Sequence, residues 1–169
     1  MVKNQAFTLI ELLLYMGIVT FMMTALVPLT WNVIGGSAKV AVEGEVYSQG
    51  RFAAERMKRE IRNTTNITSV SSSTLVTYLG SSWNTTTFDV SGGKLRMTKI
   101  DPETGDPVVT NLNSDGTTVS GLTFTNYSSA PLKTKHVGFQ FTISGSQTSG
   151  RQEYQESITI ESSSEIRSF

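Results

Sequence analysis

A chain of 169 residues holds one domain with an added element, but hardly two full domains. Lysine plus arginine and aspartate plus glutamate both number 14, so no global field gathers nucleic acid or acidic lipid. With no cysteine and one histidine, His136, disulfide frameworks, thiolate zinc sites, cysteine nucleophiles and His-rich metal sites are excluded, and no metal or cofactor is expected.

The chain opens like an export signal, "KNQAFTLIELLLYMG", yet carries a carboxylate, Glu11, inside its apolar run. From Leu12 to Ala38 there is no charged side chain. A bilayer core needs about 20 apolar residues in a helix, and Leu12 to Trp31 supplies them. A secretory signal has a shorter apolar region, about 7–15 residues, followed by a small-residue cleavage motif, and no such motif follows here. The segment therefore reads as a retained membrane helix. Lys3 and the amino terminus bias the short leading end toward the cytoplasm, which places the rest of the chain outside.

Pro28 removes a helix hydrogen bond and is expected to bend or loosen the helix, and Gly35-Gly36 marks a second soft point. A helical pattern resumes in "SAKVAVEGEVYSQGRFAAERMKREIRN". Val42, Val46, Ala53, Met57 and Ile61 share one side, while Lys39, Glu43, Arg51, Glu55, Lys58, Arg59 and Arg62 largely occupy the others. If the two stretches are continuous, residues 7–62 form a rod of roughly 80 Å.

Serine and threonine make up about a quarter of the chain, concentrated after Arg62, and alternate there with Val, Ile, Leu, Phe and Tyr. That alternation indicates exposed faces of strands rather than disorder. "STLVTYL", "TTTFDV", "KLRMTKI", "PVVTNL", "TVSGLTFTNY", "HVGFQFTIS" and "QESITIES" read as strands. Ser91-Gly92-Gly93 predicts a hairpin turn. "DPETGDP" reads as a solvated loop, although Asp101, Glu103 and Asp106 are oxygen donors of the kind calcium takes. The fold class that follows is α+β: a long N-terminal helix, membrane-spanning then amphipathic, packed on a mainly antiparallel sheet.

"AFTLIELL" resembles the processing site of the type IV pilin-like family, in which a short basic leader precedes Phe-Thr-Leu-Ile-Glu. The resemblance implies a cut between Ala6 and Phe7, N-methylation of Phe7, and Glu11 and Pro28 at positions the family uses in assembly. Ala6 stands where glycine is commoner, and the family tolerates alanine there. The resemblance is strong over residues 1–34 and extends through the following helix. Beyond it, "TFDVSGGKLRMTKI", "DGTTVSGLTFTNY" and the late Thr/Ile-rich strand resemble minor pilins and pseudopilins of the J type of type II secretion and the W type of type IV pili. The implied organisation is a leader (1–6), a transmembrane and assembly helix (7–34), an amphipathic helix (35–62) and a β-rich, pilin-like head (63–169). The implied partners are other pilin or pseudopilin subunits, a prepilin peptidase, an inner-membrane assembly platform and, before assembly, lipid. The implied location is the inner membrane, then a periplasmic or extracellular filament.

Two other readings compete. A binding module at a filament tip could contact DNA, a surface or an exported substrate, with Lys94, Arg96 and Lys99 as the nearest thing to a phosphate-binding strand and Lys133, Lys135 and His136 further on. Edge-strand solubility explains the same lysines. An anchored enzyme would need a nucleophile or an acid/base constellation, and no such motif is present. Asn63, Asn66, Asn84 and Asn126 lie in Asn-x-Ser/Thr triplets, which arise by chance in so threonine-rich a chain.

Overall fold

A computed structural model describes residues 8–80, 84–128, 135–146 and 155–166. Lys3, Ala6, Phe7 and Lys133, all named above, lie outside the described residues.

One helix, α1 (Leu9–Asn63), runs without interruption through Pro28, Gly35 and Gly36. Its 55 residues extend about 80 Å at 1.5 Å per residue. Neither expected soft point divides it. Pro28 cannot donate to the Thr24 carbonyl. Around it the hydroxyls of Thr20, Thr24 and Thr30 donate to the carbonyls of Met16, Thr20 and Leu26, one turn back, and so share those carbonyls with the backbone ladder.

The strands are β1 (Asn66–Val70), β2 (Leu75–Tyr78), β3 (Thr85–Ser91), β4 (Lys94–Ile100), β5 (Pro107–Asn111), β6 (Thr117–Asn126), β7 (His136–Gly145) and β8 (Ser157–Glu165). All pairings are antiparallel, as the alternation predicts. They divide, however, into a five-stranded sheet, β1-β2-β3-β4-β5, and a three-stranded sheet, β6-β7-β8. The division lies at Asn113. The last ladder bond of β5 runs from Leu112 N to Leu95 O, after which the Asn113 side chain takes over and its Oδ1 accepts from Leu95 N at 2.8 Å. Its Nδ2 donates to the carbonyls of Gly93 and Thr117, which ties the start of β6 to the β3–β4 turn.

Both glycine-dependent features follow from positive φ. Gly92 and Gly93 (φ 58° and 74°) close a two-residue hairpin between Ser91 and Lys94, as primed turns require. Gly121 (φ 61°) sits in a register shift between Ser120 and Thr123. The shift changes the buried parity from Thr117 and Val119 to Leu122 and Phe124, so β6 keeps one apolar face despite an extra residue. β1 was not expected from the sequence. A second shift, between Ile67 and Ser69, breaks the alternation that would have announced it.

α1 packs on the three-stranded sheet chiefly through β7 and β8, and the five-stranded sheet meets β6 through β1, β3 and β4. One core results. Val46, Ala53, Ala54, Met57 and Ile61 of the helix join Phe139, Phe141 and Ile143 of β7 and Leu75, Phe88, Leu95 and Met97 of the larger sheet. Gly50 marks the closest approach: a Cβ there would meet Ile160 Cδ1 at 2.5 Å and Ile143 Cγ2 at 3.0 Å. Among the described residues Glu60 is the one charged residue in the set of buried polar groups, and it holds Arg56 at 3.0 Å and Lys99 at 2.7 Å. Lys99 thereby links β4 to the helix.

Candidate functional site

The first half of α1 sets this chain apart. From Leu9 to Val33 every residue is solvent-exposed, including Leu12, Leu13, Leu14, Ile18, Phe21 and Leu29. A stretch so apolar, with a mean hydropathy of 2.1 over its best 18 residues, is long and apolar enough to cross a membrane. Among the described residues none of this stretch is buried against the head. The first buried residue of the helix is Val46. An exposed apolar surface of this extent needs a lipid or protein environment.

At its end the helix is capped. Thr8 has extended backbone angles, φ −80° and ψ 150°, and its Oγ1 accepts from Glu11 N at 3.4 Å. In return Glu11 Oε2 accepts from Thr8 N at 3.0 Å and from Thr8 Oγ1 at 2.8 Å. This reciprocal pairing is a capping box, which satisfies two of the amides a helix start leaves open. A carboxylate in the first turn also suits the positive end of the helix dipole. The carboxylate that looked out of place in the sequence is thus the N3 partner of its own helix cap. The spacing Thr-x-x-Glu was the signal for it.

The three candidate DNA contacts are all matched by acids. Lys94 Nζ lies 2.9 Å from Asp115 Oδ1 and donates to Ser114 O at 2.6 Å. Arg96 Nε donates to Asp89 Oδ1 at 3.0 Å, and its Nη2 pairs with Oδ2 of the same carboxylate. The hydrogen bond to Asp89 holds the Arg96 guanidinium above its ordinary pKa, and the hydrogen bond from Lys94 draws the Asp115 carboxyl down. Lys94 and Arg96 share the outward face of β4, whereas Lys99 turns inward to Glu60. The three therefore do not form one cationic patch. Lys135 donates to Thr65 O at 3.1 Å, and His136 packs against Tyr127 with ring centroids 5.8 Å apart.

"DPETGDP" folds as a self-contained turn. Asp101 Oδ1 accepts from Glu103 N and Thr104 N, while Asp101 N and Gly105 N donate to the carbonyls of Asp106 and Asp101. Its leading carboxylate is occupied by backbone amides.

Comparisons with family models, with curated proteins and with solved structures found no match.

Proposed function

We propose that this chain is a filament-building subunit, a minor pilin or pseudopilin of the kind its leader and first helix resemble. It enters the inner membrane through α1 with the amino terminus inside. A prepilin peptidase then cuts between Ala6 and Phe7, Phe7 is N-methylated, and the subunit joins or primes a filament on a membrane platform. In this reading its work is assembly, and the protease and motor chemistry belong to other chains. The observation that carries the reading is the shared helix. One uninterrupted α1 is core for the head at one end and wholly exposed apolar surface at the other. Lipid before assembly and the helices of neighbouring subunits after it are environments that satisfy such a surface.

Cleavage at Ala6 would leave the new amine one residue before Thr8, beside the capping box. Glu11 then has two roles that can be separated: capping its own helix, and pairing its charge with the amine of a neighbouring Phe7. Glu11→Gln keeps a side chain able to complete a capping box but removes the charge. We expect Glu11→Gln and Glu11→Leu both to insert into the membrane and both to lose assembly, measured by crosslinking between subunits and by surface display. Assembly retained by Glu11→Gln and lost by Glu11→Leu would reduce Glu11 to a cap. Assembly retained by both would overturn the pairing.

A further inference from the structure

We propose that the groove between α1 and the free edge of β8 is a peptide-binding site. It takes a short extended segment of another polypeptide, apolar at alternate positions, as a fourth strand on the smaller sheet. β8 is the outermost strand of that sheet. Beside it lies a groove of about 420 Å³, walled by residues 158–162 on one side and by Tyr47, Arg51, Ala54, Glu55 and Lys58 of the helix on the other.

Ladder phase decides what this edge offers. Gly145 N donates to Glu156 O and Ile166 N to Lys135 O, so the even-numbered residues of β8 turn their amides and carbonyls to β7. Ser157, Thr159, Glu161 and Ser163 turn theirs the other way. Among the described residues no hydrogen bond reaches the backbone of these four. Unpaired edge groups of this kind are a template for a further strand.

The helix supplies the floor. Side chains of an added strand that lie across from Ile158 and Ile160 point to the same side of the sheet as those residues, toward α1. There they meet Tyr47, Ala54 and the half-buried isoleucines themselves. Tyr47 is 58% exposed, so its ring is open to such a contact. It also lies well beyond the run of about 20 residues that a bilayer core takes up, so lipid does not cover it.

The other edges lack this combination. β5 is exposed along its whole length and starts at Pro107, which has no amide to offer. β1 and β6 close on each other, with Phe124 N donating to Ser72 O at 3.1 Å. Among the described strands, β8 is the one with both an unpaired edge and an apolar floor.

These features identify the occupant. A row of backbone donors and acceptors matches a polypeptide, which gains affinity from main-chain bonds and specificity from alternate side chains. A second copy fits poorly. Antiparallel pairing of two β8 strands would run the two α1 helices in opposite directions, and their apolar halves could not then enter one membrane side by side. Lys58 is already held by Glu55 at 2.6 Å. Glu161 has no ion pair among the described residues, and a lysine across from it would complete a cross-strand pair.

The test uses the full chain in detergent micelles and a seven-residue peptide that alternates valine with threonine, its central threonine replaced by lysine. Titration calorimetry reads binding, and amide hydrogen exchange reads its place. We expect binding that protects the amides of Thr159 and Glu161. N-methylating the threonine and lysine amides, which face β8, should weaken binding about tenfold or more, whereas N-methylating the valine amides should change it by no more than about twofold. The two modified peptides partition into micelles alike, so detergent does not account for a difference between them. Tyr47→Ala should also lower affinity, by about tenfold. Glu161→Lys should lower it about two- to fivefold, and a peptide with glutamate in place of lysine should restore it.

Absence of binding by the unmodified peptide would overturn the site. So would equal losses from both N-methylated peptides, full affinity in Tyr47→Ala, or protection at β5 instead. A charge swap without rescue overturns the register. Protection of the same amides that rises with protein concentration, without peptide, overturns the occupant in favour of a second copy.

Discussion

The two halves of α1 are the same secondary structure in two different solvents. In the half from Val46 to Ile61, Val46, Ala53, Ala54, Met57 and Ile61 form one buried side against β7 and β8, while Tyr47 and Phe52 on the other sides stay exposed. In the half from Leu9 to Val33, apolar residues cover the whole circumference, and none is buried. A one-sided stripe is enough when the partner is a sheet, because the other side must stay wet. An all-round apolar surface makes sense only where the surroundings are apolar on every side. The backbone is therefore common to both halves, and the distribution of side chains around it records the intended environment.

Cutting a core side chain on one half but not the other tests this most strongly. Met57→Ala removes a fully buried side chain and is expected to destabilise the head by about 2–5 kcal/mol. Leu13→Ala, a similar truncation on the exposed half, should change head unfolding by no more than about 0.5 kcal/mol. Denaturant melts of the two variants in micelles measure both. Equal losses would mean that the exposed half packs on the head after all.

A smaller effect is expected at Glu60, which couples the helix to β4. Glu60→Ala leaves Arg56 and Lys99 without their shared carboxylate, and because both cations are partly exposed the loss should be about 1 kcal/mol. Adding Lys99→Met to Glu60→Ala should cost less than the two single losses summed, in a double-mutant cycle read by the same melts.

The smallest effect is expected at Asp115, an exposed acid outside the helix. Its carboxyl is drawn below the ordinary range chiefly by the hydrogen bond from Lys94. A depressed native pKa means that the unfolded chain binds more protons in the acid window between the two values. The stabilisation is thus present above the ordinary carboxylate pKa and is lost as pH falls through the native one. Melts against pH should show Asp115→Asn slightly less stable than the parent near neutrality, with the difference vanishing in acid.

Much of this architecture was legible because it rests on local periodicity. The helix period, the Ser/Thr alternation and the Gly92-Gly93 turn each declare an element within a few residues. β1 was hidden because its bulge destroys the period, and the division into two sheets was hidden because alternation says which face is buried but not which strand is the neighbour. That choice is made at Asn113 by a side chain that no pattern singles out. Pro28 does not set a helix boundary: it removes the single ladder bond to the Thr24 carbonyl, and the 55-residue helix continues past it. The candidate site was legible in part. Glu11 stands out in the sequence as a charge, and the Thr-x-x-Glu spacing from Thr8 carries the signal of its cap.

Asn113 carries one more consequence. It offers its oxygen to one amide and its nitrogen to the carbonyls of Gly93, Ser114 and Thr117, so the seam between the sheets depends on a group with both ends of the amide intact. Aspartate has nearly the same shape and volume, yet would turn an acceptor toward carbonyls that need a donor. At this position the fold distinguishes an NH2 from an oxygen. Chemical ageing of a single side chain would then be enough to loosen the join between two otherwise intact sheets.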